Sequence, residues 1–215
     1  MSTTLSWLHI SDIHFRATDS WRDSTARDAL LDCLQKNIGS AELTKPNLIL
    51  CTGDIGFGDT SSQKLPAQYE DAKLFFERIE KICEIERKHM FAVPGNHDIS
   101  RSEANKFADR YYRQIAKESF RNNQMVNDSI ANKSKEYLDS LNRLEAFRTF
   151  FIEAFPHVNL DDHMHYVHQL SINGIDIQIV GLNSVWTCSG SEEDRDVWVG
   201  AQAQISKIKK IYRYV

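Results

Sequence analysis

The chain has 215 residues, of which 41% are apolar and 26% are charged, and its formal net charge is −4. This length and apolar content suit one domain with a buried core, and they argue against disordered, collagen-like and repeat architectures. No run approaches the roughly 18 consecutive apolar residues of a membrane span, and the N-terminus lacks a signal-peptide pattern. We therefore expect a cytoplasmic, soluble single domain over residues 1–215, with no membrane partner.

Cysteine usage and charge exclude two further classes of protein. Cys33, Cys51, Cys83 and Cys188 lie far apart and form no C-x-x-C pair. This spacing predicts reduced thiols and argues against a disulfide framework or a zinc knuckle. The mild acidity argues against a protein that holds nucleic acid by charge alone, because that mode needs a basic surface.

The first half of the chain alternates short apolar runs with longer amphipathic ones. The runs predict strands over 5–11, 48–52 and 90–93 and helices over 22–38 and 68–88. The order is β-α-β-α-β, and the connections are long enough for right-handed crossovers in a parallel sheet. Residues 56–64 are expected to be a mobile loop, and we do not expect Asp59 to bind a metal.

The second half has a different character. Residues 102–155 contain no proline or glycine and carry apolar residues at helical spacing, so they predict two or three helices forming a cap or insert. Asn173-Gly174 lies between two alternating runs and predicts a β-hairpin over 166–182. A last helix is predicted over 201–214. Trp7, Trp186 and Trp198 are expected to pack in the core or the insert.

Three polar clusters each follow directly behind one of the three predicted strands. They are Asp12-Ile13-His14, Gly53-Asp54 and Gly95-Asn96-His97-Asp98. The carboxyl ends of parallel strands meet at one edge of a sheet, so these clusters should converge. Their carboxylate, amide and imidazole groups suit Mn²⁺, Fe or Zn²⁺ better than an all-oxygen calcium site or an all-thiolate zinc site.

Each cluster taken alone also has a structural interpretation. Asp12 could cap a helix, His14 could lie on the surface, and Gly53-Asp54 could be an ordinary turn. Chance would have to produce all three in this order, each behind a strand. The combination therefore favours a functional site.

The three clusters resemble the first three motifs of the calcineurin-like metallophosphoesterases. The flanking residues agree, since Leu8-His9-Ile10-Ser11 leads into the first motif, Pro94 precedes the third, and Leu182-Asn183-Ser184 resembles the family's next strand end. The resemblance implies an α/β fold of the metallophosphoesterase type. In that fold a β-sandwich is flanked by helices, here with residues 102–156 as a helical insert.

The resemblance also implies two divalent metal ions, with manganese favoured over iron, zinc or nickel. Asp12 and His14 would bind one ion, the Asp54 carboxylate would bridge both, and the Asn96 amide oxygen would bind the second. A carboxylate can bridge two cations and a neutral imidazole cannot. We therefore expect substitution of Asp54 to be the most damaging.

By the same resemblance His97 lies outside the metal shell and donates a hydrogen bond or proton to the leaving oxygen, while Asp98 fixes its orientation. An imidazole of near-neutral pKa suits such an acid. The implied activity is phosphoester hydrolysis by a metal-activated water. A phosphodiester, in a nucleotide or nucleic acid, is favoured over a monoester because an alkoxide leaving group needs a proton.

The family pattern continues with a Gly-His motif and a Gly-His-x-His motif, and this sequence contains neither. The resemblance thus implies a domain incomplete at its C-terminus, with a continuation or fused domain as a further expectation. His157, His163, His165 and His168 are predicted to be surface or strand residues, not ligands. The alternative function is a catalytically incomplete fragment, acting as a sensor or interaction module.

Overall fold

A computed structural model gives the fold of most of the chain. It describes residues 4–16, 21–40, 43–59, 64–105, 108–112, 114 and 120–190. The predicted helix over 201–214 and Trp198 lie outside these residues. Among the described helices, none is long and apolar enough to cross a membrane.

A parallel three-stranded sheet lies at the centre of the described fold. Its strands are β1 (Trp7–Ile10), β2 (Leu48–Cys51) and β3 (Met90–Ala92), in the order β1-β2-β3. The predicted parallel β-α-β-α-β order is therefore confirmed. Strand β3 is buried throughout and β2 nearly so, as expected for short apolar runs covered on both faces. Trp7 was wrongly expected in the core: it is 59% exposed and lies on the same face of β1 as the exposed His9.

Two helices connect the three strands and contact each other. They are α1 (Trp21–Asn37) and α2 (Leu65–Cys83). The sequence predicted that α2 would continue to residue 88, which is wrong. Glu84 adopts a left-handed conformation (φ 47°), and its N–H bonds to the carbonyls of Glu80 and Lys81. This C-cap ends the helix, and a short 3₁₀ turn, Arg87–His89, leads into β3.

In the region predicted to be helical, residues 108–112 are helical, and three longer α-helices follow. They are α3 (Phe120–Ala131), α4 (Lys135–Leu141) and α5 (Glu145–Ala154), with 3₁₀ turns at Arg101–Glu103 and Asn142–Leu144. Helix α5 packs on α2, where the ring of Phe150 stacks on Tyr69 with centroids 4.6 Å apart. This last helix therefore belongs to the same hydrophobic core as the sheet-flanking helices.

The predicted hairpin is present as a separate two-stranded antiparallel sheet. It consists of β4 (Tyr166–Ile172) and β5 (Ile175–Gly181), joined by Asn173 and Gly174 with φ of 53° and 77°. Two successive positive φ angles are what a two-residue hairpin turn requires. The Tyr166 hydroxyl donates a hydrogen bond to the Ala92 carbonyl at 2.9 Å, which attaches β4 to the end of β3.

The core contains free thiols and one buried ion pair. Cys51, Cys83 and Cys188 are buried and Cys33 is exposed, and all four are free, as predicted. Arg143 and Asp109 form a bidentate pair, both bonds 2.8 Å long, with both side chains fully buried. Arg143 also donates to the carbonyls of Cys188 and Ser140, and its own carbonyl accepts from the Ser100 N–H. This pair therefore connects the helical region to the loop behind β3.

Candidate metal centre

The loops behind β1 and β2 remain paired after the strands end. The N–H groups of Asp12 and His14 donate to the carbonyls of Gly53 and Asp54 at 3.2 and 3.0 Å, and Phe15 N–H donates to Ile55 at 2.8 Å. The parallel register of the sheet is thus extended into the polar loops. This extension brings the first two clusters together, as the sequence predicted.

Three of the predicted ligands have unusual backbone conformations. Asp12, His14 and Asp54 have φ angles of 57°, 54° and 54°, in the left-handed region that non-glycine residues rarely occupy. Such conformations cost of order 1–3 kcal/mol each and persist only where the surroundings enforce them. Three of them within two adjacent loops show that the surrounding structure holds the backbone of this region in a strained conformation.

Two glycines allow the second and third clusters to approach each other. A Cβ atom on Gly95 would lie 2.1 Å from Asp54 Oδ1 and 2.2 Å from the Asp54 nitrogen. A Cβ atom on Gly53, whose φ is +106°, would lie 2.6 Å from the Gly95 backbone. Only glycine fits at either position, which explains why a glycine immediately precedes both Asp54 and Asn96.

The side chains of His14, Asp54 and His97 converge at this edge of the sheet. One potential ligand atom from each of them lies within 4.8 Å of the others, and all three residues are half-buried. The two imidazole rings are 4.7 Å apart and nearly perpendicular. Asp12 Oδ1 lies 3.8 Å from His14 Nε2, so it belongs to the same group of side chains.

Electrostatics keep His14 in the form that binds a metal. Burial lowers the pKa of His14 most, the neighbouring His97 lowers it further, and the carboxylates of Asp54 and Asp12 act in the opposite direction. A lowered pKa keeps the imidazole neutral, with a lone pair available at neutral pH. Carboxylate oxygens and neutral imidazole nitrogens within a few ångströms of one another suit a divalent transition metal. The residues present therefore fit such an ion.

The other two predicted ligands are at least partly exposed. The Asp12 side chain is 67% exposed, and its Oδ2 accepts a hydrogen bond from the Ser11 hydroxyl at 2.6 Å. Asn96 is half-exposed in the turn that leads to His97, and its amide makes no hydrogen bond to the described residues. Both side chains are accessible to a ligand.

His97 is held by the loop behind β2. Its backbone N–H donates to Asp54 Oδ1 at 2.9 Å, and its Nδ1 lies 3.0 Å from the Phe57 carbonyl oxygen. A carbonyl can only accept, so Nδ1 carries the hydrogen and Nε2 carries none in the neutral ring. His97 therefore lies as close to Asp54 and His14 as a ligand would, although the resemblance placed it outside the metal shell.

Asp98 occupies a different place from the one the resemblance implied. Its carboxylate accepts hydrogen bonds from the backbone N–H groups of Ile55, Gly56 and Gly95 at 2.7–3.1 Å and from the Tyr69 hydroxyl at 3.1 Å. The described contacts include none between Asp98 and the His97 ring, because both carboxylate oxygens are occupied by these donors. Burial raises the pKa of Asp98 to about 6, against the effect of the backbone donors. Asp98 thus joins the loops behind β2 and β3, and the Phe57 carbonyl orients His97.

The later histidines are separate from the cluster in the described part of the chain. His163 and His165 were expected on the surface or in a strand, but both are buried in the loop before β4, where His163 Nδ1 lies 2.9 Å from the Tyr137 hydroxyl. His168 lies within β4, as predicted. His157 Nε2 donates to the Met90 carbonyl at 3.0 Å, which fixes it beside β3.

The sequence did not identify Phe57 as part of the site. Its ring lies 5.6 Å from that of His14 and 5.2 Å from that of His97, and the Arg16 guanidinium carbon lies 3.4 Å from its centroid. The Phe57 N–H donates to Gln68 Oε1 at 2.7 Å, so this start of the predicted mobile loop is fixed to α2. In the sequence, the feature that pointed to Phe57 was its position three residues after Asp54. Its aromatic ring gave no reason to expect a contact with the imidazoles.

Asp59 behaves as a structural residue. It accepts hydrogen bonds from the Leu65 N–H at 3.0 Å and from the Ser100 hydroxyl at 2.7 Å. These contacts connect the start of α2 to the loop behind β3. Asp59 therefore has structural partners of its own, consistent with its exclusion from the ligand set.

The calcineurin-like phosphoesterase family model matches residues 5–196, and the chain belongs to this family. The chain is also similar to an uncharacterized metallophosphoesterase-like protein, YydB, of Bacillus subtilis (strain 168), with 33% identity over 95 residues. That alignment covers 44% of this chain and only 18% of YydB. No solved structure matches the chain. Membership of the family supports metal-dependent hydrolysis of phosphoesters as the class of reaction.

Proposed function

We propose that this protein hydrolyses phosphodiesters with the help of two divalent cations, bound where the three loops meet. The observation that carries the proposal is the convergence of His14, Asp54 and His97 within 4.8 Å, on three loops that the sheet brings together. The strained backbone of Asp54 and the two glycines packed against it support the same conclusion.

In this proposal the first cation is held by Asp12, His14 and Asp54, and the second by Asp54 and Asn96. Manganese is the ion we propose, as the resemblance implies, and the mixed oxygen and imidazole donors suit iron or zinc as well. Two cations supply a water of lowered pKa and offset the charge of the phosphate. The bridging role of Asp54 agrees with its half-buried position and with its lack of an ion pair to any described lysine or arginine.

His97 is proposed as the proton donor to the leaving oxygen. In its neutral form the hydrogen is on Nδ1, which donates to the Phe57 carbonyl, so only the doubly protonated ring can donate from Nε2. The Phe57 contact then keeps the ring in one orientation while the proton at Nε2 is transferred. An alkoxide benefits most from such a donor, which favours diesters in nucleotides or nucleic acids as substrates.

We also propose the compartment of the protein and the presence of further sequence beside this domain. The four free cysteines agree with a reducing, cytoplasmic setting. YydB is longer than the aligned segment, which covers 18% of it, and we propose a continuation or a fused further domain beside the phosphoesterase unit.

The test is Mn²⁺-dependent hydrolysis of bis(p-nitrophenyl) phosphate by the wild-type protein, by Asp54→Asn and by the surface variant Asp28→Asn. Asp28 is 62% exposed and pairs with Arg78, so it is a matched carboxylate control. We expect turnover in the wild type and in Asp28→Asn, and its loss in Asp54→Asn. Equal turnover in all three would contradict the assignment. Mn²⁺ binding without turnover would instead favour the sensor or interaction module.

A further inference from the structure

Arg101 lies beside the cluster, and the proposed hydrolysis assigns it no role. It begins the 3₁₀ turn Arg101–Glu103, four residues behind His97, and its side chain reaches back to that residue. Its Nη2 lies 3.5 Å from His97 Nδ1, at the limit of a hydrogen bond. Its Nε is buried and has no hydrogen-bond partner.

The His97 contact cannot satisfy the guanidinium. Nδ1 of His97 already donates to the Phe57 carbonyl at 3.0 Å, and an arginine can only donate, so the two N–H groups compete. No carboxylate of the described residues forms an ion pair with Arg101. A partly buried guanidinium without an acceptor is costly, and this cost is removed when an anion binds.

Two glycines border the side chain of Arg101. Gly58 and Gly190 have φ angles of +93° and +75°, and a Cβ atom on either would lie 3.4 Å and 2.5 Å, respectively, from Arg101 Nε. Any other residue at position 190 would push the side chain away. The space that Arg101 occupies therefore depends on the absence of a side chain at position 190.

From this geometry, and resting on the proposed function, we infer that Arg101 binds a second phosphate of the substrate, separate from the phosphate that is hydrolysed. The imidazole of His97 contacts both sites: the ring offers a ligand atom within 4.8 Å of those of His14 and Asp54, and its Nδ1 lies 3.5 Å from Arg101 Nη2. The planar guanidinium matches two phosphate oxygens at once. The substrate class is therefore a phosphodiester whose leaving group carries a further phosphate.

The test measures binding, so that it does not depend on turnover. Calorimetry in the presence of Mn²⁺ compares thymidine 3′,5′-bisphosphate with thymidine 5′-monophosphate. The proteins are the wild type, Arg101→Gln, Arg101→Lys and the surface control Arg78→Gln, whose guanidinium pairs with Asp28 on α1. Thermal melting of each variant checks that it is folded.

We expect the wild type and Arg78→Gln to bind the bisphosphate at least about tenfold more tightly than the monophosphate, as one charge-assisted contact provides. Arg101→Gln should bring that ratio close to one, and Arg101→Lys should give an intermediate ratio. A wild-type ratio near one, or an unchanged ratio in folded Arg101→Gln, would overturn the inference. If Arg101→Gln does not fold, Arg101→Lys takes its place in the comparison. A ratio for Arg101→Lys equal to that of the wild type would then overturn the inference. Absence of Mn²⁺-dependent hydrolysis by the wild type would instead contradict the proposed function.

Discussion

Gly95→Ala tests how tightly the backbone fixes Asp54. The added methyl would lie 2.1 Å from Asp54 Oδ1 and 2.2 Å from the Asp54 nitrogen, whereas ordinary contacts begin at 3.4 Å. Rotation of the Asp54 side chain cannot relieve the backbone contact, so the loop must move by more than 1 Å. A misplacement of about 1 Å at a reacting centre can cost on the order of 10²-fold in rate. We expect a fall of that size in kcat/KM.

The assay for Gly95→Ala is Mn²⁺-dependent hydrolysis of bis(p-nitrophenyl) phosphate, together with urea unfolding. Gly174→Ala is the matched control, because Gly174 has a φ of +77° but nothing within 4 Å of the added methyl. The control should lose about 1 kcal/mol of stability from the backbone alone and keep its kcat/KM. The reasoning is refuted if Gly95→Ala retains kcat/KM within threefold of the wild type.

Two further predictions concern stability. Arg143→Ala removes the bidentate Arg143 contact of the buried Asp109 carboxylate and should lower the free energy of unfolding by about 3–5 kcal/mol. The double variant Arg143→Met with Asp109→Leu should lose less, and equal losses in urea titration would contradict this. Burial lowers the pKa of His157, so the unfolded chain takes up a proton near pH 6.5 before the folded protein does, and stability should fall as the pH drops through 6.5. His157→Gln should reduce that pH dependence, which is measured as the urea midpoint of unfolding at each pH. The same dependence in wild type and variant would show that other groups cause it.

The order of the elements could be predicted because it depends on local patterns. Short apolar runs, amphipathic runs and Asn173-Gly174 each specify their own structure, and the parallel sheet and hairpin agree with them. The end of α2 could not be predicted, because Glu84 in a left-handed cap is not distinguished by residue type. The exposure of Trp7 depends on which face of β1 the rest of the fold covers, which is a property of the assembled structure.

The sequence predicts which side chains of the site become neighbours, because the strand order decides that. Because strand ends converge, Asp12, His14, Asp54 and His97 are neighbours in the structure. The role of Asp98 could not be inferred, because it depends on which of several nearby N–H groups its oxygens reach.

The pair between Arg143 and Asp109, and the contact of Phe57 with His97, were also beyond sequence reasoning. The first joins residues 34 positions apart and the second joins residues 40 positions apart, and neither spacing belongs to a local pattern. Both are tertiary contacts that follow only from the folded chain.

The central claim is that Asp54 and its neighbours hold a divalent cation, and calorimetric titration with Mn²⁺ tests it most directly. The wild type should bind Mn²⁺ saturably, and Asp54→Asn should lose that binding. Asp59→Asn, which changes a carboxylate only five residues away that bonds to Leu65 and Ser100, should bind as the wild type does. Retention of Mn²⁺ binding in Asp54→Asn, or its loss in folded Asp59→Asn alone, would contradict the account.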